Sequence, residues 1–318
     1  DTRVNQKWLD IIGKDYSMVN RLTRIYYNQK LFAYPLKPFD ALSRLGIFKS
    51  ILCVISYLYA KLKNSKDNKT FESWVTNRFG YRLYSIFFKS YSEKLWGISC
   101  KKLDADFAAQ RIKKLSLFEA IKSAFIKSGK KHKTLVDEFA YPLKGAGEVY
   151  SRMAKQIKSM SGKVLLNTKV FSVDKNNDSV FQITLDNKKT VKYDHIISTM
   201  PMTHLVEKIG APKHVIHAAR KLTFRNTILV YLKVEGSDLF PDQWLYIHSD
   251  KVLTGRVTNF KNWVSTINNN QKETILCLEY WCYDDDDIWH QSEKEMVKIA
   301  SKEVEIIGLA QSDKVISG

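Results

Sequence analysis

The stretch Tyr84–Gly97, YSIFFKSYSEKLWG, decides how the rest of the chain is read. Its aromatics recur at helical spacing (Tyr84, Phe87, Phe88, Tyr91), and a Ser-Glu-Lys step leads into Trp96 and a terminating Gly97. A helix that stops on such rings leaves them at its mouth. Tyr91 and Trp96 are therefore candidates for one wall of a pocket, with Arg82, Lys89 and Lys94 supplying positive charge. Aromatics at this spacing more often form ordinary core, so the neighbouring segments decide between the two readings.

Working outward, the 318 residues can bury a core and build two or more lobes. A composition 44% hydrophobic and 26% charged excludes wholesale disorder. Lys and Arg number 51 against 33 Asp and Glu, and the resulting net charge of +18 favours an anionic partner. The lysines are scattered, without an arginine-rich arm or an aromatic RNA-binding box, so nucleic acid is not the expected partner. Cys53, Cys100, Cys277 and Cys282 are dispersed and read as reduced structural thiols of a cytoplasmic protein. The acidic run Asp284–Asp287 reads as a solvated turn, the histidines have no ligand spacing, and no metal is expected. No Ser-His-Asp order, phosphate-binding loop or Cys-His pair is present. The most apolar window, Ser50–Ala60 (SILCVISYLYA), is too short to span a bilayer and lies between Lys49 and Lys61. It reads as a buried helix, with a monotopic membrane contact as the alternative.

Leu22–Tyr34 is expected to form a hairpin about Asn28-Gln29, closed by Pro35 and Pro38. Phe39 to about Lys130 reads as helical throughout, with Thr70 or Ser73 as a cap. Gly145 and Gly147 stand just before a helix, where backbone N–H groups can approach a phosphate or a flavin edge. Tyr150 takes the place of the third glycine of a full dinucleotide fingerprint. Gly162–Asp174 reads as a strand, Ser179–Tyr193 as a hairpin and Asp194–Pro201 as a short buried strand. Thr223–Val234, Trp244–His248 and Thr274–Cys282 are expected to make an antiparallel sheet. Ser292 and Glu295 mark a capping box for a final helix that stops at Gly308.

SYSEKLWG resembles the GYTEKQWG segment of UDP-galactopyranose mutases. The longer WVTNRFGYRLYSIFFKSYSEKLWG is similar to a related group of FAD-dependent oxidoreductases that includes protoporphyrinogen oxidases and flavin amine oxidases. Arg225 in LTFRNT and Arg256 in TGRVTNF correspond to the LPYRTL-like and YTRIIE-like segments of the mutases, and Arg111 falls one residue from a loop arginine. YPLKP (34–38) has instead the form found in the oxidoreductase branch.

The resemblance implies a mixed α/β fold: an incomplete glutathione-reductase-type FAD-binding domain with an inserted helical lobe and an antiparallel-sheet substrate domain. Its segments would be a hairpin of the sheet domain (1–38), the helical lobe (39–138), part of the FAD domain (139–212), the sheet (213–290) and a C-terminal helix (291–318). The chain begins DTRVNQKW and reads as part of something longer. The family's N-terminal glycine-rich FAD motif and C-terminal FAD segment are expected outside it, so this piece by itself would bind FAD poorly or not at all. Gly145, Gly147, Val170, Thr199 and Pro201 would border the cofactor. Tyr91, Trp96, Arg256 and Asn259 would bind substrate, and Arg256, Arg225 and Arg111 would serve catalysis. A mutase would use the reduced flavin to attack a nucleotide sugar. The alternatives are an oxidase that passes a hydride to FAD and a non-catalytic binding module that has lost its flavin.

Overall fold

The computed structural model describes residues 2–63, 65–107, 138–175, 180–264, 266–267 and 272–318. Arg111 lies outside the described residues. The chain divides into two compact units, Asp1–Glu148 with Arg225–Gly318, and Val149–Phe224.

The first unit begins with helix α1 (Thr2–Ile12) and strand β1 (Tyr16–Asn20). Strands β2 (Thr23–Tyr27) and β3 (Lys30–Ala33) form the expected hairpin. Asn28 and Gln29 both take positive φ, 48° and 58°, as a two-residue turn between right-twisted strands requires. Helices α2 (Pro38–Leu45), α3 (Ile47–Lys63), α4 (Phe71–Phe79) and α5 (Tyr81–Tyr84) follow. A π-helical turn at Ser85–Lys89 then leads into α6 (Ser90–Trp96). Thr70 caps α4 and Ser73 returns the bond, a capping box. Trp74, Val75, Phe79, Tyr84 and Phe87 pack with Phe32 of the hairpin in one apolar cluster. The extra residue of the π turn re-phases the helix, so residues after it face different neighbours from those before it.

Strand β4 (Glu138–Pro142) pairs with β1 and leads into helix α7 (Gly147–Ser159). The sheet is completed by β8 (Asn226–Glu235), β9 (Trp244–Ile247), β10 (Arg256–Asn259), β11 (Glu273–Cys282) and β12 (Val315–Ser317). With the hairpin the order is β12-β8-β11-β10-β9-β2-β3, and β2 lies parallel to β9. Arg24 secures that parallel pairing with a two-bond clamp of 2.9 and 2.6 Å on Asp242, which is fully buried. Alternation along β8, β10 and β11 sends Val230, Leu232, Val257, Leu276 and Leu278 to one face. There they meet Met296, Ala300 and Val304 of α10 (Glu293–Ile306). The helix starts at the Ser292/Glu295 capping box. Tyr231, Cys277, Glu279 and Arg256 project from the opposite face.

The second unit contains the meander β5 (Val170–Lys175), β6 (Phe181–Leu185) and β7 (Thr190–Tyr193), with helices α8 (Met202–Lys208) and α9 (Lys213–Ala219). The structure departs from three expectations. Pairing begins only at Val170, because Asn167 takes positive φ and breaks the extended run expected from Gly162. Asp194–Pro201 is no buried strand: it pairs with no described strand, and Ile197 is 95% exposed. A strand needs a hydrogen-bonded neighbour, and the described residues supply none. The buried helix expected at Ser50–Ala60 is also corrected, since only Cys53 and Ala60 of α3 are buried.

Gly255 sits against the Trp281 ring, and a Cβ there would lie 1.8 Å from Cζ3. Gly255→Ala is therefore expected to expel Trp281 and lower stability by about 1–3 kcal/mol, the usual cost of overpacking. Urea unfolding together with near-ultraviolet circular dichroism measures both effects.

Candidate functional site

Helix α6 is fastened to the sheet by two cations that use backbone carbonyls. Lys94 Nζ donates to the carbonyls of Ser249, Val252 and Thr254 at 2.8, 2.9 and 2.9 Å, and to Ile247 O at 3.5 Å. Burial pushes its ammonium down to about 8, against the opposing pull of Glu303 and Asp250. Glu303 of α10 accepts the Leu253 and Thr254 N–H groups of the same loop, at 2.5 and 3.0 Å. At the helix C-terminus Arg225 donates to Lys94 O (3.0 Å) and Trp281 O (2.7 Å). Its guanidinium pairs with Asp286 at 3.3 Å and lies 4.2 Å over the Tyr283 ring. Gly97, in the left-handed conformation, leaves room for it: a Cβ would come within 2.5 Å of Arg225 Nη1.

This joint fixes Tyr91. Its ring stacks on His248 (4.8 Å, 14°) and meets Tyr246 and Trp281 edge-on. Burial raises the pKa of its hydroxyl. His248 is buried, and its Nδ1 has no hydrogen-bond partner among the described residues.

Beside it the exposed sheet face forms a hollow of about 210 Å³. Tyr231, Trp244, Phe260 and Trp263 supply aromatic walls, and Arg256 and Glu279 the charge. Arg256 is 38% exposed and pairs in the plane of its fork with Glu279 Oε1, at 2.6 Å from Nε and 2.5 Å from Nη2. Burial works against the Arg256 charge, but Glu279 more than offsets it and the pKa is raised. Cys277, also in the wall, is held up at about 11 by burial and stays a thiol. All four cysteines are buried and free. Trp244 Nε1 is a buried donor without an acceptor among the described residues.

The glycine turn is tied to this hollow through β4. Phe139 and Tyr141 pack edge-on against Trp263 at 5.4 and 4.7 Å. Past them, Leu143 O accepts from Thr266 Oγ1 at 2.5 Å, and Leu143 N donates to Asp15 O. Gly145 has φ +87°, and a Cβ at either Gly145 or Gly147 would meet nothing within 4 Å. The chain thus presents bare backbone at the start of a 13-residue helix, with space in front of it. In the second unit, Val170 opens β5 opposite Leu185, and Thr199 and Pro201 lie exposed ahead of α8.

Arg256 therefore lines the hollow and β4 packs against its Trp263 wall, while Gly145, Gly147 and the other candidates fall outside the lining. Arg225 spends its donors clamping α6, because the carbonyls at a helix C-terminus need partners. Trp96 packs on Phe107 at 4.6 Å and gives its carbonyl to Tyr283 Oη, outside the lining of the hollow. Asn259 is buried with both ends of its amide on backbone, Phe240 O and Lys261 N, so it shapes a turn. Tyr91 has one face covered by His248. Asp286 accepts from Tyr283 N–H and Arg225, which accounts for the acidic run as a turn. Glu279, Trp244 and Trp263 were not singled out from sequence. The one available signal was a carboxylate inside the apolar run ETILCLEYWC.

Residues 25–315 match the flavin containing amine oxidoreductase family, and the chain belongs to it. The family's cofactor is FAD. The fold is similar to that of reduced UDP-galactopyranose mutase at 18% identity and a TM-score of 0.78, covering 98% of this chain and 66% of the mutase. It is also similar to a protein assigned as a protoporphyrinogen oxidase from Exiguobacterium (12% identity, TM-score 0.69, 96% and 69% covered). Putrescine oxidase bound to putrescine is a further likeness (14% identity, TM-score 0.58, 98% and 69% covered). The chain spans about two thirds of the length of these proteins. A Cβ at Gly145 or Gly147 would meet open space, so the residues present leave the backbone there free for a flavin to approach.

Burial, and then the Lys94 charge, push His248 from 6.5 down to about 3. Between those pH values the unfolded chain binds a proton that the folded chain refuses, so this contribution is complete above pH 6.5 and is lost as pH falls toward 3. The expected slope is at most about 1.4 kcal/mol per pH unit. Urea midpoints measured across this range should flatten in His248→Phe, which keeps the ring against Tyr91 but cannot titrate.

Proposed function

We propose that this chain carries the substrate face and part of the FAD site of a flavoenzyme that acts on a nucleotide sugar, in the manner of UDP-galactopyranose mutase. The observation that carries the reading is Arg256, a charge-retaining guanidinium held in plane by Glu279 inside an aromatic-walled hollow. The remaining N–H edge of such a fork matches the oxygens of a diphosphate, and flat rings suit a nucleobase. The surplus of 51 cationic over 33 acidic side chains draws anions to the surface.

In this reading Arg256 binds the diphosphate as leaving-group charge develops. Arg225, Tyr91 and Lys94 are positioning residues that hold the α6 joint beside the hollow. Arg111 would add a second charge to the diphosphate. Gly145, Gly147, Val170, Thr199 and Pro201 would hold FAD through backbone contacts. When bound, FAD supplies the electron-rich or electron-accepting ring that no side chain here can provide. The aromatic walls and Phe139 keep water from the reacting face.

A second reading has its own support. Glu279 places a carboxylate among aromatic walls, which suits an ammonium group, and the amine oxidoreductase family match covers nearly the whole chain. The enzyme would then oxidise an amine and pass the hydride to FAD.

Titration calorimetry of the full-length protein with uridine diphosphate separates the two. Arg256→Ala is expected to weaken binding at least about tenfold, or about 1.4 kcal/mol, with the visible flavin spectrum retained. Arg256→Lys, which keeps the charge, is expected to recover part of the loss. Release of peroxide from an amine, with no heat from uridine diphosphate, would overturn the nucleotide-sugar reading in favour of the second.

A further inference from the structure

Helix α3 is packed inside out. Its small side chains, Cys53 and Ala60, face the protein. Outward it turns Ile47, Phe48, Ile51, Ile55, Leu58 and Leu62. Ile47, Phe48 and Leu62 are 82%, 76% and 85% exposed, and Val54 and Tyr59 continue the same stripe. These positions follow the helical repeat, so they form one band about 22 Å long with no charged side chain in it, its polar group being the Tyr59 hydroxyl.

The orientation is locked by the neighbouring elements. Gly80 lies flush against the α3 backbone, where a Cβ would come within 2.6 Å of Tyr57 N. Arg82 N donates to Ser56 Oγ at 3.1 Å. The apolar band therefore cannot roll inward without breaking both contacts.

Cations flank the band. Between Asp40 and Asp67 the chain has no carboxylate, but it has Arg44, Lys49, Lys61, Lys63 and Lys66. Arg44 is taken up by Asp40, while Lys61 and Lys63 occupy the last turn, with Lys61 over the Tyr57 ring. Two copies pressed together through this band would bring like charges into contact, whereas an anionic surface would neutralise them. No helix among the described residues is long and apolar enough to cross a membrane.

We infer that α3 lies in the plane of an anionic lipid bilayer surface, with its apolar band in the acyl boundary and its lysines at the headgroups. This membrane contact does not depend on the reaction proposed above. It makes the protein a peripheral, monotopic membrane protein whose contact lies away from the Arg256 hollow in sequence and in residues.

Vesicle co-sedimentation of the full-length protein tests this. Binding is expected to vesicles of phosphatidylcholine mixed with phosphatidylserine, with at least about tenfold less binding to phosphatidylcholine alone. Ile51→Ser with Leu58→Ser, both on the outer face, should cut binding about tenfold or more with an unchanged circular dichroism spectrum. Lys61→Glu with Lys63→Glu should abolish the preference for phosphatidylserine. Absence of vesicle binding by the unaltered protein would overturn the inference, as would binding that neither double variant changes. So would a dimer in sedimentation velocity that Ile51→Ser with Leu58→Ser dissociates, since a second copy would then cover the band.

Discussion

The interaction on which the architecture turns is the buried ammonium of Lys94 among the carbonyls of residues 247–254. Neither side is tolerable alone. A desolvated ammonium without acceptors is costly, and so is a loop with its carbonyls turned inward and no donor. Each satisfies the other, and Glu303 takes the outlying N–H groups of the same loop from the far side. A helix of the aromatic lobe, a loop of the sheet and the helix behind the sheet thereby meet in one polar knot. Arg225 adds a second fastening at the end of α6.

The consequences reach the open face of the sheet. Because α6 is fixed at both Lys94 and its C-terminus, Tyr91 is held against His248, Tyr246 and Trp281, and the covered part of that face ends there. The uncovered part is the aromatic hollow with the Arg256–Glu279 pair. Strand β4 brings two more rings to its edge and then turns through Gly145 into a helix start with open space before it. The aromatic-walled guanidinium and the open glycine turn are thus joined through β4.

What could be read from sequence was what is decided locally. The turn at Asn28-Gln29, the boxes at Thr70/Ser73 and Ser292/Glu295, and the alternating strands each depend on residues a few positions apart. What could not be read depends on distant partners. Arg225, Trp96 and Asn259 look like site residues in isolation and prove to be committed to carbonyls, to Phe107 and to a turn. Glu279 acquires meaning only when the ladder sets it opposite Arg256. The periodicity of α3 locates an apolar band but cannot say which way it faces; Gly80 decides that.

The most direct test of the central claim is fluorine NMR of the full-length protein labelled with fluorotryptophan, with uridine diphosphate added. The account predicts that the resonances of Trp244 and Trp263, in the wall of the Arg256 hollow, shift while those of Trp8 and Trp74 stay in place. Shifts confined to Trp96, or none at all, would contradict it.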